Sequence, residues 1–419
     1  MAVPLKMNKY IMDYTLLDYA GHIPDASTIE LDCSLGVNHM PMANRVFSKL
    51  HGFRQETGDD PGNYKEIKDY PHDGSLTDTI AQWHLKKGVG NGWLTSENIV
   101  LGNGSMNVLC NLNLLCLTYQ KKAMGHAPQF TAYIDDVYSV GATYDAYYMQ
   151  MSDKYKFNTS AYISKMASDF DLFIVENPNN PTGQVIPLAE IRQIAEKALS
   201  LGTILIVDEA YGEYMPPETS AINLIPSFPN IVVTRTFSKG FGMAGMRLGY
   251  GVSEAPIKDG NLDANYYNVM TQLQKLQIPF HSNSIARVLA KAALEATMNG
   301  DDPDGNPYDP FDINNITNNK RSLIGLIKNV NEAFKRNVQI AETHASTPIL
   351  TLYYEDAGAD FDFQAYLVKH GLLTVSCATY LGLDKRAVRL MLPRDRYSDL
   401  FTLHRIMTWA IENIPVSKN

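Results

Sequence analysis

Lys239 sits in the run Thr236-Phe237-Ser238-Lys239-Gly240-Phe241-Gly242, beside two hydroxyl residues and ahead of Arg247. A lysine amine condenses with a carbonyl compound to form a Schiff base, and hydroxyls with a forked guanidinium donate well to phosphate oxygens. Together these residue types suit a covalently held, phosphorylated carbonyl compound. A glycine- and serine-rich surface loop carrying a solvated lysine is the bland alternative, so the surrounding sequence has to decide. The preceding apolar run, Ile231-Val232-Val233, reads as a buried strand.

Two further strand-like runs end in polar residues. Leu172-Phe173-Ile174-Val175 leads through Glu176 into Asn177-Pro178-Asn179-Asn180-Pro181-Thr182-Gly183, where the prolines force extended backbone on the residues before them and present Asn180 at a strand end. Ile204-Leu205-Ile206-Val207 ends in Asp208, with Tyr211 three residues on. Open parallel sheets bind ligands beyond the carboxyl ends of their strands, so Asn180, Asp208, Tyr211 and Lys239 are expected to converge on one site. Upstream, Leu101-Gly102-Asn103-Gly104-Ser105-Met106-Asn107 follows the strand-like Ile99-Val100 and opens an apolar helical run. Free N–H groups and the positive end of the helix dipole make such a turn a phosphate cradle.

In this order the segments resemble those of fold-type I pyridoxal-phosphate enzymes, from about residue 30 to about residue 412. The Thr236–Gly242 run resembles the class II aminotransferase signature, with histidinol-phosphate aminotransferase-like enzymes as the nearest likeness. The resemblance implies an α/β fold: a large domain with a mostly parallel seven-stranded sheet between helices, and a smaller α+β domain. It implies that Lys239 forms the internal aldimine and then shuttles the proton, that Asp208 faces the pyridine nitrogen, and that Asn180 and Tyr211 hydrogen-bond the phenolic oxygen. Gly104, Ser105 and Met106, with Thr236, Ser238 and Arg247, would hold the cofactor phosphate. Phe130, in Pro128-Gln129-Phe130-Thr131-Ala132-Tyr133, would stack on the ring, and Tyr70 would reach the phosphate of a neighbouring subunit in a homodimer. Arg389, the one cation in Ala387-Val388-Arg389-Leu390-Met391-Leu392, matches the position that binds the substrate carboxylate, with Arg394 and Arg396 as neighbours that compete for the role. Gly36, with Val37, and Asn180 would also contact the substrate. Transamination is the most frequent chemistry on such a site. The same electron sink serves decarboxylation, elimination and cyclisation of an arginine-derived amino acid. A sensing protein on this fold would carry a basic helix-turn-helix, of which the sequence shows no sign.

The elements that must hold these residues are legible in outline. The 419 residues, 45% hydrophobic, suit two cored domains, and a net charge of -9 argues against nucleic acid or an anionic membrane as the partner. No apolar window reaches signal-peptide or membrane-span length, and Cys33, Cys110, Cys116 and Cys377 lack metal-like spacing, so a reduced, cytoplasmic setting without a bound metal is expected. The expected division is an N-terminal arm (1–52), a large cofactor-binding domain (53–285) and a C-terminal small domain (286–419). Alternating strand-like and helical runs fill the middle, including a helix from Pro187 to Leu199. Beyond it a helix over Ser284–Ala296, a loop over Asn299–Asn319, a helix from Arg321, a strand near Ile349, a helix near Phe363, two short strands and a closing helix are expected. The loop is rich in Asp, Asn, Pro and Gly, and its aspartates lack the spacing of a calcium loop.

Overall fold

The computed structural model describes residues 8–17, 28–36, 38, 42–55, 70–71, 74–256, 268–300, 308–393 and 398–416. Its strands are β1 (Leu31–Asp32), β2 (Ile99–Gly102), β3 (Lys122–Ala127), β4 (Thr143–Tyr148), β5 (Leu172–Glu176), β6 (Ile204–Asp208), β7 (Ile231–Thr236) and β8 (Gly249–Val252). They continue with β9 (Gln339–Ile340), β10 (Ile349–Tyr353), β11 (Leu372–Leu373), β12 (Val375–Ser376) and β13 (Ala387–Met391). A seven-stranded sheet runs in the order β2-β8-β7-β6-β5-β3-β4, and a four-stranded sheet in the order β12-β13-β10-β9. In the larger sheet β3 pairs parallel with β4 and β5, and β6 parallel with β7, while β8 runs antiparallel to β2 and β7. This is the mostly parallel sheet, with a second smaller sheet, that the sequence predicts. Every residue of β5 and β7 is buried, as is all of β6 after Ile204. Strands covered on both faces have no polar alternation to keep, which is why they read as near-continuous apolar runs.

The chain divides into two compact units. Unit two comprises 37–115 and 187–312 and contains β2, β6, β7 and β8. Its helix Leu188–Ser200 buries Ile191, Ile194, Ala195 and Ala198, one helical face, and the chain turns back toward β6 through Gly202 at a φ of 67°. Arg235 on β7 donates to the Glu209 carboxylate just past β6 at 2.7 Å, and to Ser220 at 3.2 Å. Arg235 is 4% exposed and Glu209 0%. Arg235 also lies 3.4 Å from the buried Glu213 carboxylate, so one desolvated guanidinium serves two acids, and removing Arg235 would strand both at a cost of roughly 3–5 kcal/mol. The pair clamps the strand that leads to Lys239 against the residue that follows Asp208.

Unit one comprises 1–36, 116–186 and 313–419 and contains β3, β4, β5 and the smaller sheet. Arg389 lies in β13, between the neighbours Thr351 of β10 and Val375 of β12. One expectation is corrected here: the loop reading of Asn299–Asn319 fails at both ends. In unit two the preceding helix continues to Asn299, and in unit one a 22-residue helix starts at Ile313 rather than at Arg321. Ile316, Asn319, Lys320, Leu323, Ile327 and Val330 are buried at helical spacing, so burial of one face overrides the weak helix propensity of the asparagines. Lys320 is buried and satisfied: its amine donates to the Thr343 hydroxyl at 2.5 Å, the His344 carbonyl at 2.7 Å and the Thr347 carbonyl at 3.0 Å. All four cysteines are free thiols, with Cys33 and Cys377 buried. Among the described residues no helix is long and apolar enough to cross a membrane, and no His, Cys, Asp and Glu cluster could hold a metal ion.

Candidate active site

In unit two the strand ends and one turn gather most of the candidate residues. β7 stops at Thr236, whose hydroxyl accepts the Ser238 amide at 3.2 Å and lies 3.0 Å from the Ser238 hydroxyl. The chain then folds around Lys239: the Gly242 amide donates to the Lys239 carbonyl at 3.2 Å and the Met243 amide to the Phe237 carbonyl at 3.0 Å. Gly242 takes a φ of 67°, and a Cβ there would lie 2.5 Å from the Asn38 carbonyl oxygen. Asn38 in turn donates its side-chain amide to the Gly240 carbonyl at 2.5 Å and to that of Pro310 at 2.7 Å. A lysine loop tied on both sides carries a half-buried side chain whose Nζ stands 5.5 Å from the centroid of the Tyr211 ring.

Asp208 ends β6 with one carboxylate oxygen accepting the Thr234 hydroxyl at 2.7 Å. Burial pushes its pKa up from 3.8 to about 6, against the opposing pull of the Thr234 hydroxyl, the Ala210 amide and the Lys239 charge. A carboxyl held this way is short of positive charge. The Tyr211 hydroxyl is buried with no hydrogen-bond partner among the described residues, which marks it as a donor awaiting an acceptor.

The turn after β2 supplies the cradle. Gly104 is buried at a φ of 76°, Ser105 and Met106 are half-buried, and Ser105 starts the helix Ser105–Cys116. At Gly104 the positive φ favours glycine, and a Cβ on Gly249 of β8 would collide with the Ser105 amide nitrogen, so the close backbone approach needs Gly249. Arg247 itself is exposed and left-handed, at a φ of 49°, a conformation that costs a non-glycine residue about 1 kcal/mol. A helix start beside a guanidinium is an arrangement that can accept an anion. Tyr70, which the sequence assigns to a neighbouring subunit, is 70% exposed and stacks on Phe280 with ring centroids 4.5 Å apart.

Unit one holds the remaining candidates. Arg389 is fully buried; its guanidinium donates to the Asn180 side-chain oxygen at 3.0 Å and to the Ser34 carbonyl at 2.6 Å, two residues before the buried Gly36. Tyr380 lies 3.3 Å from the same Asn180 oxygen. With its oxygen accepting from both, Asn180 turns its amide NH2 away from the guanidinium. Phe130 is half-buried at the start of the helix Thr131–Ser139, with its amide donating to the Glu176 carboxylate at 2.9 Å. Val37, Arg394 and Arg396 lie outside the described residues.

Sequence reasoning missed Tyr380 and Glu176. For Glu176 a signal is present in the sequence: an acid at the end of a wholly buried strand needs donors. Tyr380 gave no signal, because the partner it touches is 200 residues away.

A family model described as aminotransferase class I and II matches residues 33–394. Histidinol-phosphate aminotransferase 1 of Dechloromonas aromatica (strain RCB) is 32% identical over 204 residues, 48% of this chain and 52% of that protein. An aromatic amino acid aminotransferase of Mycobacterium sp. (strain KMS) is 30% identical over 235 residues, 55% of this chain and 61% of that protein. The chain thus matches about half the length of these curated relatives. In fold it is similar to histidinol-phosphate aminotransferase from Sinorhizobium meliloti, solved in complex with pyridoxal-5'-phosphate: TM-score 0.73, 17% identity, covering 99% of this chain and 100% of that one.

Proposed function

Because the chain belongs to the class I and II aminotransferase family, we propose that it is a pyridoxal-phosphate-dependent aminotransferase that exchanges the α-amino group of an amino acid with a keto acid. The observation that carries this reading is a lysine loop, a buried carboxylate and an unpartnered buried tyrosine hydroxyl assembled within one compact unit. Their donor set fits the cofactor. Lys239 is the attachment point and afterwards the proton carrier at the α-carbon, since its amine is the one base the loop holds in place. Gly104, Ser105, Met106, Thr236, Ser238 and Arg247 bind the phosphate. Asp208 gains a cation in a protonated pyridine nitrogen, Tyr211 and Asn180 donate to the phenolic oxygen, and Phe130 packs on the ring face. When bound, pyridoxal phosphate supplies an electron sink for the pair left at the α-carbon. Arg389 takes the α-carboxylate, with Gly36 adding a backbone contact.

The protein is further proposed to act in the cytoplasm as a homodimer to which Tyr70 contributes across the interface. The exposed Tyr70 and Phe280 pair, with Ile278 at 69% exposure nearby in sequence, supports an apolar contact surface. Sedimentation would read the oligomeric state directly.

Loaded protein mixed with single amino acids should yield a keto acid and pyridoxamine phosphate. Release of carbon dioxide or a ring-closed product without keto acid would overturn transamination. Arg389→Lys keeps the charge but loses the fork, so KM for the amino acid should rise roughly ten- to a hundredfold, with a smaller change in kcat. Steady-state kinetics with varied amino acid and fixed keto acid would measure it, and an unchanged KM would remove Arg389 from the substrate site.

A further inference from the structure

Glu176 closes β5 at 3% exposure, in a strand whose other residues are all apolar and buried. A buried carboxylate is tolerated only where donors meet it, and here they arrive from two separate segments. One oxygen accepts the Phe130 amide at 2.9 Å. The other accepts the Asn180 amide at 3.1 Å and the Asn179 side-chain amide at 3.1 Å. The strand end is fixed from behind as well, because the Glu176 amide donates to His126 Nε2 at 3.1 Å while His126 Nδ1 lies 3.2 Å from the Pro128 carbonyl. Nδ1 therefore carries the proton and Nε2 is the acceptor, and burial keeps His126 neutral by lowering its pKa to about 4.

Phe130 and Asn180 belong to different loops, and Glu176 touches both. We propose that Glu176 is a positioning residue: a carboxylate bracket that sets the Phe130 ring platform and the Asn180 donor at a fixed spacing. The proposal rests on the pyridoxal-phosphate reading, in which those two residues contact the ring face and the phenolic oxygen. Its chemistry is specific to a glutamate. Glutamine offers one acceptor oxygen and an NH2 group, so whichever way it turns, one set of N–H donors meets another N–H. Aspartate is one methylene shorter and reaches one loop or the other.

The test uses the full chain loaded with pyridoxal phosphate. In Glu176→Gln the cofactor Kd should rise roughly tenfold or more. The pH midpoint of the cofactor's absorption band should move upward, because a displaced Asn180 donates less well to the phenolic oxygen and leaves the Lys239 nitrogen more basic. The midpoint shift should vanish when Glu176→Gln is made in an Asn180→Ala background. A part in folding alone would lower the melting temperature and leave the midpoint in place. A folded Glu176→Gln with unchanged Kd and midpoint overturns the proposal, as does an equal shift in the Asn180→Ala background. If Glu176→Gln does not fold, amide hydrogen exchange on the wild-type protein decides: protection of both the Phe130 and Asn180 amides supports the bracket, and free exchange at either overturns it. Wild-type protein that takes up no pyridoxal phosphate would defeat the functional reading, while the exchange measurement would still judge the bracket.

Discussion

Lys239→Ala should eliminate the covalent cofactor adduct and reduce turnover by about 10⁴-fold or more, the range lost when both a nucleophile and a positioned proton carrier are removed. The size of the effect follows from the geometry of the loop. The Gly242-to-Lys239 and Met243-to-Phe237 backbone bonds, with Asn38 bridging to Gly240 and Pro310, fix the backbone from which Lys239 projects, and its Nζ stands 5.5 Å from the centroid of the Tyr211 ring. A free amine in solution cannot replace a base already held in position, since orientation is what the loop supplies. The proposed phosphate donors Thr236, Ser238, Arg247 and the Gly104 turn are untouched by the substitution. Lys239→Ala should therefore still bind pyridoxal phosphate, without covalent attachment, and added methylamine should restore a small part of the activity. Borohydride reduction followed by peptide mapping is the direct measurement: the label should fall on the peptide containing Lys239 in the wild type and be absent from the variant. Label on another peptide, or an active variant, would end the assignment.

What the sequence disclosed about this site depended on how far apart the cooperating residues lie. β5, β6 and β7 were legible because strands buried on both faces are written as largely apolar runs, Ile231-Val232-Val233 in the case of β7, and the candidate residues lie at or just beyond their ends. Arg389 was legible for a related reason: one cation inside an apolar strand requires a polar partner, and it has Asn180 and the Ser34 carbonyl. The Arg235 and Glu209 ion pair is invisible to periodicity, because it joins residues 26 positions apart whose charges look like the polar ends of two strands. The start of the helix at Ile313 was obscured by a different effect. Asn314, Asn315, Asn318 and Asn319 favour turns locally, and only the burial of Ile316, Leu323 and Ile327 in unit one tips the segment into a helix. The local turn preference of the asparagines is outweighed there by packing, which residue types taken one at a time do not encode.

Asp208→Asn should make the cofactor-free protein more stable and the loaded enzyme much slower, a pair of opposite effects that few other substitutions would give. In the absence of cofactor, burial lifts the Asp208 carboxyl from 3.8 to about 6, so the folded chain holds that proton more tightly than the unfolded chain does. Between about pH 4 and pH 6 the unfolded state therefore binds fewer protons, and stability falls as pH rises through that window. Above it the whole cost of a buried, poorly compensated anion is present, on the order of 2–3 kcal/mol. Asparagine keeps an oxygen for the Thr234 hydroxyl and carries no charge, so urea unfolding of cofactor-free protein should show the variant level with wild type near pH 4 and more stable by that amount near pH 7. Function should move the other way. If Asp208 faces the ring as proposed, loss of the anion removes the partner that keeps the pyridine nitrogen protonated, and kcat should drop roughly a hundred- to a thousandfold, as when one preorganised charge is removed from an active site. Loading should also reverse the order of stability, because ligand binding stabilises the wild type more than a variant with weakened affinity. Equal stability of the two cofactor-free proteins at pH 7 would show that Asp208 is not strained by burial. Undiminished turnover in the variant would show that it does not face the ring nitrogen.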